Sequence, residues 1–292
     1  MLDIDCLNNA REISVLANGY QFAAIEYGPS DGPAVLALHG WLDNAASFNW
    51  VADALPQVRL IAIDLAGHGL SQHRPEGISY QIWDYAVDVL AFADAMNLQR
   101  FSLLGHSMGA SVALIMAGLA PDKVQAVGFL EGLAPMIYPE SQLPKLMAEA
   151  IIKRNKLAHR PVKIFTEPEE AVQIRMSGRW PVTREMALAL VRRGLKNTGQ
   201  GWVWSHDQAL LQPSLVRFSK AQVTAFVEAL AAPGFILVAT DFARQTLVDP
   251  WRSNLRTVTI TQVEGGHHFH MTPEGAKAVA AAVDKNWPKL NG

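Results

Sequence analysis

Short apolar runs recur along the chain, and nearly all of them end in glycine, histidine or a carboxylate. Ala34–Leu38, Arg59–Ile63, Phe101–Leu104, Val124–Leu130 and Phe235–Ala239 show little polar alternation. That is the pattern of strands buried on both faces of a parallel sheet. Thr257–Val263 extends the series. Upstream, Ile13–Ala17 and Tyr20–Tyr27 flank an Asn18-Gly19 pair, which predicts a hairpin. Between the runs, Tyr80–Met96 sets Ile82, Tyr85, Ala86, Val89, Leu90 and Ala93 at helical spacing, and Ala110–Gly118 reads as a second helix. A closing helix is expected from about Pro273, which suits a first turn, to Val283. The alternation predicts an α/β protein with a mostly parallel, doubly wound sheet.

From 135 to 213 the alternation stops. Helix-like pieces stand there instead, Leu143–Lys156, Glu169–Met176 and Thr183–Arg193, broken by Pro161, Pro168, Gly178 and Pro181. The expectation is a core domain made of 1–134 and 214–292, with 135–213 inserted as a helical segment. Residues 141–200 hold twelve Lys or Arg against five Asp or Glu. Solvated helix faces account for that excess as well as selection of an anionic substrate does. Ile137, Tyr138, Met147, Ile151, Phe165, Trp180, Trp202 and Trp204 either line an apolar pocket or pack the insert on the core.

Composition narrows the class. Of 292 residues, 50% are hydrophobic and 18% charged, as in a globular chain with a large core. A net charge of −2 supplies no overall field for nucleic acid or an anionic membrane. Cys6 is the one cysteine, so no internal disulfide forms, and a reducing, cytoplasmic setting is expected. The acidic start has no signal-peptide pattern, and no window of about 18 apolar residues follows.

The chemistry centres on Gly105-His106-Ser107-Met108-Gly109, set between an apolar run and a helix. G-x-S-x-G in that context is a nucleophile elbow: a turn so sharp that flanking positions must lack side chains, with the helix N-terminus aimed at a nascent anion. A neutral serine hydroxyl needs a base, and the base needs an orienting group. His267 follows Gly265-Gly266 after the last run. Glu131 ends one earlier run, and Asp241 follows another. A metal set made from His267, His268 and His270 lacks a second group of spaced ligands, so no metal or other cofactor is expected. In an extended chain His268 would point away from His267. Asp64 and His68 suit structural capping of their loop, and Asp43 or Asn44 suits the N-cap of the helix that follows.

These motifs resemble the α/β-hydrolase superfamily. His39-Gly40-Trp41-Leu42-Asp43-Asn44 and Glu131-Gly132-Leu133 are similar to its serine hydrolase-like subgroup. The resemblance implies the α/β-hydrolase fold with a helical lid at 135–213, Ser107 as nucleophile and His267 as base. It implies an oxyanion hole from the backbone N–H groups of Trp41 and Met108. The acid stands open: most of the superfamily place it where Asp241 lies, and a minority where Glu131 lies. Here Ala239-Thr240-Asp241-Phe242 lacks the usual glycine, which favours Glu131 and leaves Asp241 the alternative. His39, Gly40, Ile137 and Trp180 are pocket candidates. The implied activity is cleavage of a carboxylic ester or thioester in a small molecule with an apolar acyl part, with neither nucleic acid nor membrane insertion involved. Two alternatives remain: C–C bond hydrolysis by the same residues, and ligand binding or signalling without turnover.

Overall fold

A computed structural model describes residues 10–158, 160–241 and 248–288. The predicted hairpin forms as β1 (Arg11–Ala17) and β2 (Tyr20–Tyr27), with Asn18 and Gly19 both at positive φ in the turn. The apolar runs become β3 (Ala34–Leu38), β4 (Arg59–Ile63), β5 (Phe101–His106), β6 (Val124–Leu130), and later β9 (Gly234–Ala239) and β10 (Val258–Val263). They join one eight-stranded sheet in the order β1-β2-β4-β3-β5-β6-β9-β10. Only the β1–β2 and β2–β4 pairs are antiparallel.

Alternation within each strand divides the core between the two faces of the sheet. Leu36, Leu38, Ile61 and Ile63 pack on one face with α2 (Ile82–Ala95), α3 (Met108–Leu119) and α7 (Lys220–Ala229). Val35, Ala37, Leu60 and Ala62 pack on the other with α1 (Asn49–Ala54) and α8 (Pro273–Asn286). Helix α7 had no apolar stripe strong enough to predict it; a capping box of Ser219 with Gln222 starts it.

Between β6 and α7 the chain forms α4 (Leu143–Ala158), α5 (Pro168–Met176) and α6 (Arg184–Gly194), close to the expected helices. The insert is not wholly helical. Leu195–Asn197 (β7) and Trp202–Trp204 (β8) pair as an antiparallel ribbon, and Phe165 bridges to Trp202. Trp202 and Trp204, two of the apolar residues noted in the insert, stand in this ribbon, whose turn carries Gly199 and Gly201 at positive φ. Phe165, Val172, Met186, Leu190, Val191 and Leu195 give the insert an apolar cluster of its own. Ile151 is 46% exposed on α4 and joins no buried cluster. Cys6 lies outside the described residues. No helix among them is long and apolar enough to cross a membrane.

The elbow is held by contact distances that exclude a Cβ. One built on Gly109 would stand 1.9 Å from the carbonyl oxygen of Leu38, and one on Gly105 2.4 Å from that of Gly109. The first turn of α3 thus rests directly on the ends of β3 and β5. Gly109→Ala is expected to cost about 1–3 kcal/mol, the range for forced overpacking, read as a lower urea midpoint at unchanged slope.

Candidate active site

Ser107 occupies φ 52°, ψ −107°, a backbone region that L-residues avoid, between β5 and α3. Its N–H donates to the Leu130 carbonyl at 2.9 Å, which ties the elbow to the end of β6. Glu131 follows at once, also at positive φ (50°), and is buried. The Ala239 N–H donates to its Oε1, and its Oε2 faces Nδ1 of His267 at 3.5 Å, long for a hydrogen bond. A carboxylate only accepts, so Nδ1 carries the proton in that contact and Nε2 is left as the basic atom. Ser107, Glu131 and His267 are therefore brought to one edge of the sheet, at the C-terminal ends of its parallel strands. Asp241 sits apart from that pairing. It is exposed on the turn after β9, where its N–H donates to Gly265 O at 3.2 Å. Phe242 lies outside the described residues.

Neither the Trp41 nor the Met108 N–H enters a turn, loop or cap hydrogen bond among the described residues. Met108 is the first residue of α3, where N–H groups lack intrahelical partners. The Trp41 side chain is 45% exposed, and its Nε1–H donates to Leu210 O at 3.0 Å. Trp180, from the insert, lies over the His267 ring with centroids 4.8 Å apart, and the Arg179 guanidinium covers its indole at 4.7 Å. Ile137 is partly buried against the main core.

One pocket candidate is corrected. His39 is fully buried, and both of its ring nitrogens are engaged: Nε2 accepts from Leu65 N–H at 3.0 Å and Nδ1–H donates to Gly40 O at 2.8 Å. It ties the loop after β3 to the loop after β4 and offers nothing to a ligand. Gly40 serves close approach, since a Cβ there would lie 3.0 Å from both Asp43 Oδ2 and His106 Nδ1.

Asp64 is structural, as read from sequence. It accepts from Ala45 N–H at 2.7 Å and Leu70 N–H at 2.8 Å, and it pairs with Arg193 of α6, a partner sequence could not supply. Asn44 is the cap, accepting from Ala46 N–H at 3.1 Å. Asp43 does something else. The guanidinium of Arg175 on α5 holds its Oδ1, and His268 Nε2 meets its Oδ2 at 3.1 Å. The chain at His268 turns rather than extends, so His268 folds back into the protein beside His267. His106, the variable residue of the elbow motif, donates from Nε2 to the His267 carbonyl at 2.9 Å. Sequence reasoning offered Asp43 only as a helix cap and gave His106 and Arg175 no role of their own. Their one visible signal is the density of histidines after the elbow strand and the last strand.

Asp43, His106 and His268 each bring a ligand atom within 4.8 Å of the others, a spacing that could suit a divalent cation. The charge count speaks against one. Asp43 is already neutralised by Arg175, so a dication here would be buried without a carboxylate left to balance it.

Burial would push the Asp43 carboxyl up, but His268 and Arg175 beside it hold it well below the usual carboxylate range. Burial takes His106 well below the usual histidine range, with His267 and His268 adding to the effect, and it lowers His39, His68 and His270 as well. These four rings are neutral in the folded protein, whereas in the unfolded chain they titrate near about 6.5. Below that value the unfolded state binds more protons, so stability falls as pH falls. Tm is expected to hold above about pH 7 and to drop from about pH 6.5 downward. A Tm series from pH 8 to 5 checks this.

The α/β hydrolase fold model matches residues 33–156. The chain is 30% identical over 267 residues to a serine hydrolase-like protein of Danio rerio, covering 87% of this chain and 82% of that one. It is 28% identical over 274 residues to serine hydrolase-like protein 2 of Homo sapiens, covering 86% of each. Among solved structures, a hypothetical protein of Pseudomonas aeruginosa PAO1 superposes with a TM-score of 0.87 at 37% identity, over 93% of this chain and 97% of that one. A thioesterase domain from the curacin biosynthetic pathway shares the fold, with a TM-score of 0.81 at 22% identity over 95% and 100% of the chains.

Proposed function

The chain belongs to the serine hydrolase-like proteins of the α/β-hydrolase fold, and from that premise we propose that it cleaves a carboxylic ester or thioester through an acyl-enzyme on Ser107. The observation that carries this reading is the approach of Glu131 Oε2 to His267 Nδ1 beside a serine at strained backbone angles. A buried carboxylate that fixes the imidazole tautomer makes Nε2 the atom that takes the Ser107 proton. Ser107 Oγ then attacks the acyl carbon, and the carbonyl oxygen takes up negative charge between the N–H groups of Trp41 and Met108. Collapse expels the alcohol or thiol with the proton from His267. Water repeats the sequence in reverse order and releases the acid. The roles of nucleophile, base, acid and oxyanion donors are this proposal's assignment.

Residues 135–213 serve in it as a lid over the site, with Trp180 set against the base. A tryptophan face there excludes water from the imidazole and favours an apolar acyl group. The substrate is a small molecule.

Hydrolysis of p-nitrophenyl esters of graded chain length tests the assignment. Ser107→Ala is expected to abolish turnover. Glu131→Gln is expected to lose about 10⁴-fold in kcat, the scale for exchanging a triad carboxylate for its amide. Asp241→Asn is expected to stay within about threefold of wild type, as an exposed carboxylate outside the Glu131–His267 contact. Loss in Asp241→Asn with Glu131→Gln active would move the acid to the later loop. An inert wild type would remove the ester reading.

A further inference from the structure

We propose that Asp43 is a positioning residue that makes the placement of His267 depend on the seating of the lid; this rests on His267 being the base, as assigned above. Two tethers flank that histidine. On one side, His106 Nε2–H holds the His267 carbonyl at 2.9 Å. On the other, the next residue, His268, directs Nε2 to Asp43 Oδ2 at 3.1 Å. The carbonyl only accepts, so the His106 proton is on Nε2 and its Nδ1 is a lone pair. That lone pair lies 3.7 Å from the same Asp43 oxygen, in a spot closed to solvent. Two acceptors face each other there, so the tie to Asp43 runs through His268, and the His106 ring only packs beside that oxygen.

The other oxygen belongs to the lid. Arg175 on α5 closes an ion pair with Asp43 Oδ1, the carboxylate side chain being 3% exposed and the guanidinium side chain 18%. An ion pair this dry is costly to separate, because the carboxylate is left without compensation. Asp43 also closes the turn that carries Trp41, its N–H donating to Gly40 O at 3.1 Å. A second contact follows the same route: Met271, four residues after the base, is buried in the apolar cluster of the lid. Withdrawal of α5 removes the charge partner of Asp43 and the packing of Met271 together. Both losses fall on the loop of His267 and on the turn of the oxyanion donor. Chemistry is therefore set up only while the lid is seated.

The test compares Arg175→Met, Arg175→Lys and Asp43→Asn with wild type. It reads steady-state ester hydrolysis, the rate of labelling by a fluorophosphonate, and Tm. Arg175→Met is expected to lower kcat and labelling by about 10–100-fold, the scale for a base displaced by an ångström, with KM within about threefold. Arg175→Lys restores most of the loss, since it keeps a cation for Oδ1. Arg175→Lys keeps a cation beside Asp43 and is expected to fold even where Arg175→Met or Asp43→Asn does not. A lowered kcat in it at unchanged KM then supports the proposal, and wild-type kcat in it with an unfolded Arg175→Met overturns it. Folded Arg175→Met and Asp43→Asn with wild-type kcat and labelling would overturn the proposal, as would a change confined to KM. Labelling that persists in Ser107→Ala, or is absent from wild type, would instead defeat the triad assignment and this proposal with it.

Discussion

Everything at the site depends on how closely β3, β5 and α3 approach one another. The Leu38 carbonyl sits where a Cβ of residue 109 would be, and the Gly109 carbonyl crowds residue 105. Closing the strand-to-helix turn within that space forces Ser107 to φ 52°, and the hydrogen bond from its N–H to Leu130 locks the turn against the next strand. Strain of this kind costs about 1–3 kcal/mol and persists only where the surroundings over-determine it. Here the surroundings are a parallel sheet buried on both faces. A serine on a looser turn would fall back to ordinary backbone angles and lose its fixed relation to α3.

Around that point the polar groups work as ties between loops. His39 bridges the loops after β3 and β4, and Asp64 gathers Ala45, Leu70 and Arg193. Asn44 both caps its own helical turn and donates to Leu190 O of α6 at 2.9 Å. The insert is thus fastened by Arg175 to the first loop and by Arg193 to the second, with one carboxylate waiting at each. Pairs so deeply buried give little net stability compared with apolar packing, but breaking either leaves a bare charge, at a cost of about 3–5 kcal/mol. Their effect is to fix one seat for the insert. The excess of Lys and Arg in 141–200 reads differently in this light: two of those cations are inward fasteners, and most of the others are exposed on helix faces.

Much of the fold was legible because its signals are local. Apolar runs of strand length, an Asn-Gly turn and helical spacing in 80–96 are set by neighbours within a few residues, and the structure reproduces each with boundaries moved by a residue or two. The elbow was legible for the same reason, since two glycines and a serine in five residues describe the turn by themselves. The ribbon of Trp202–Trp204 was missed because three-residue strands carry no periodicity, and α7 because its apolar face is short.

By itself, then, the sequence determined the order of elements, the sharp turn at Ser107 and the presence of a candidate base, His267, and two candidate acids, Glu131 and Asp241, after core strands. Only the tertiary structure sets Glu131 Oε2 at 3.5 Å from the imidazole of His267. Glu131 and His267 are 136 residues apart, and they meet because β6 lies beside β9, with β10 next to it. The same holds for Asp43 with Arg175, 132 residues apart, and for His106 with the His267 carbonyl, 161 apart. Strand order in a parallel sheet is chosen by crossover connections and by packing over the whole domain, and no window of sequence contains it.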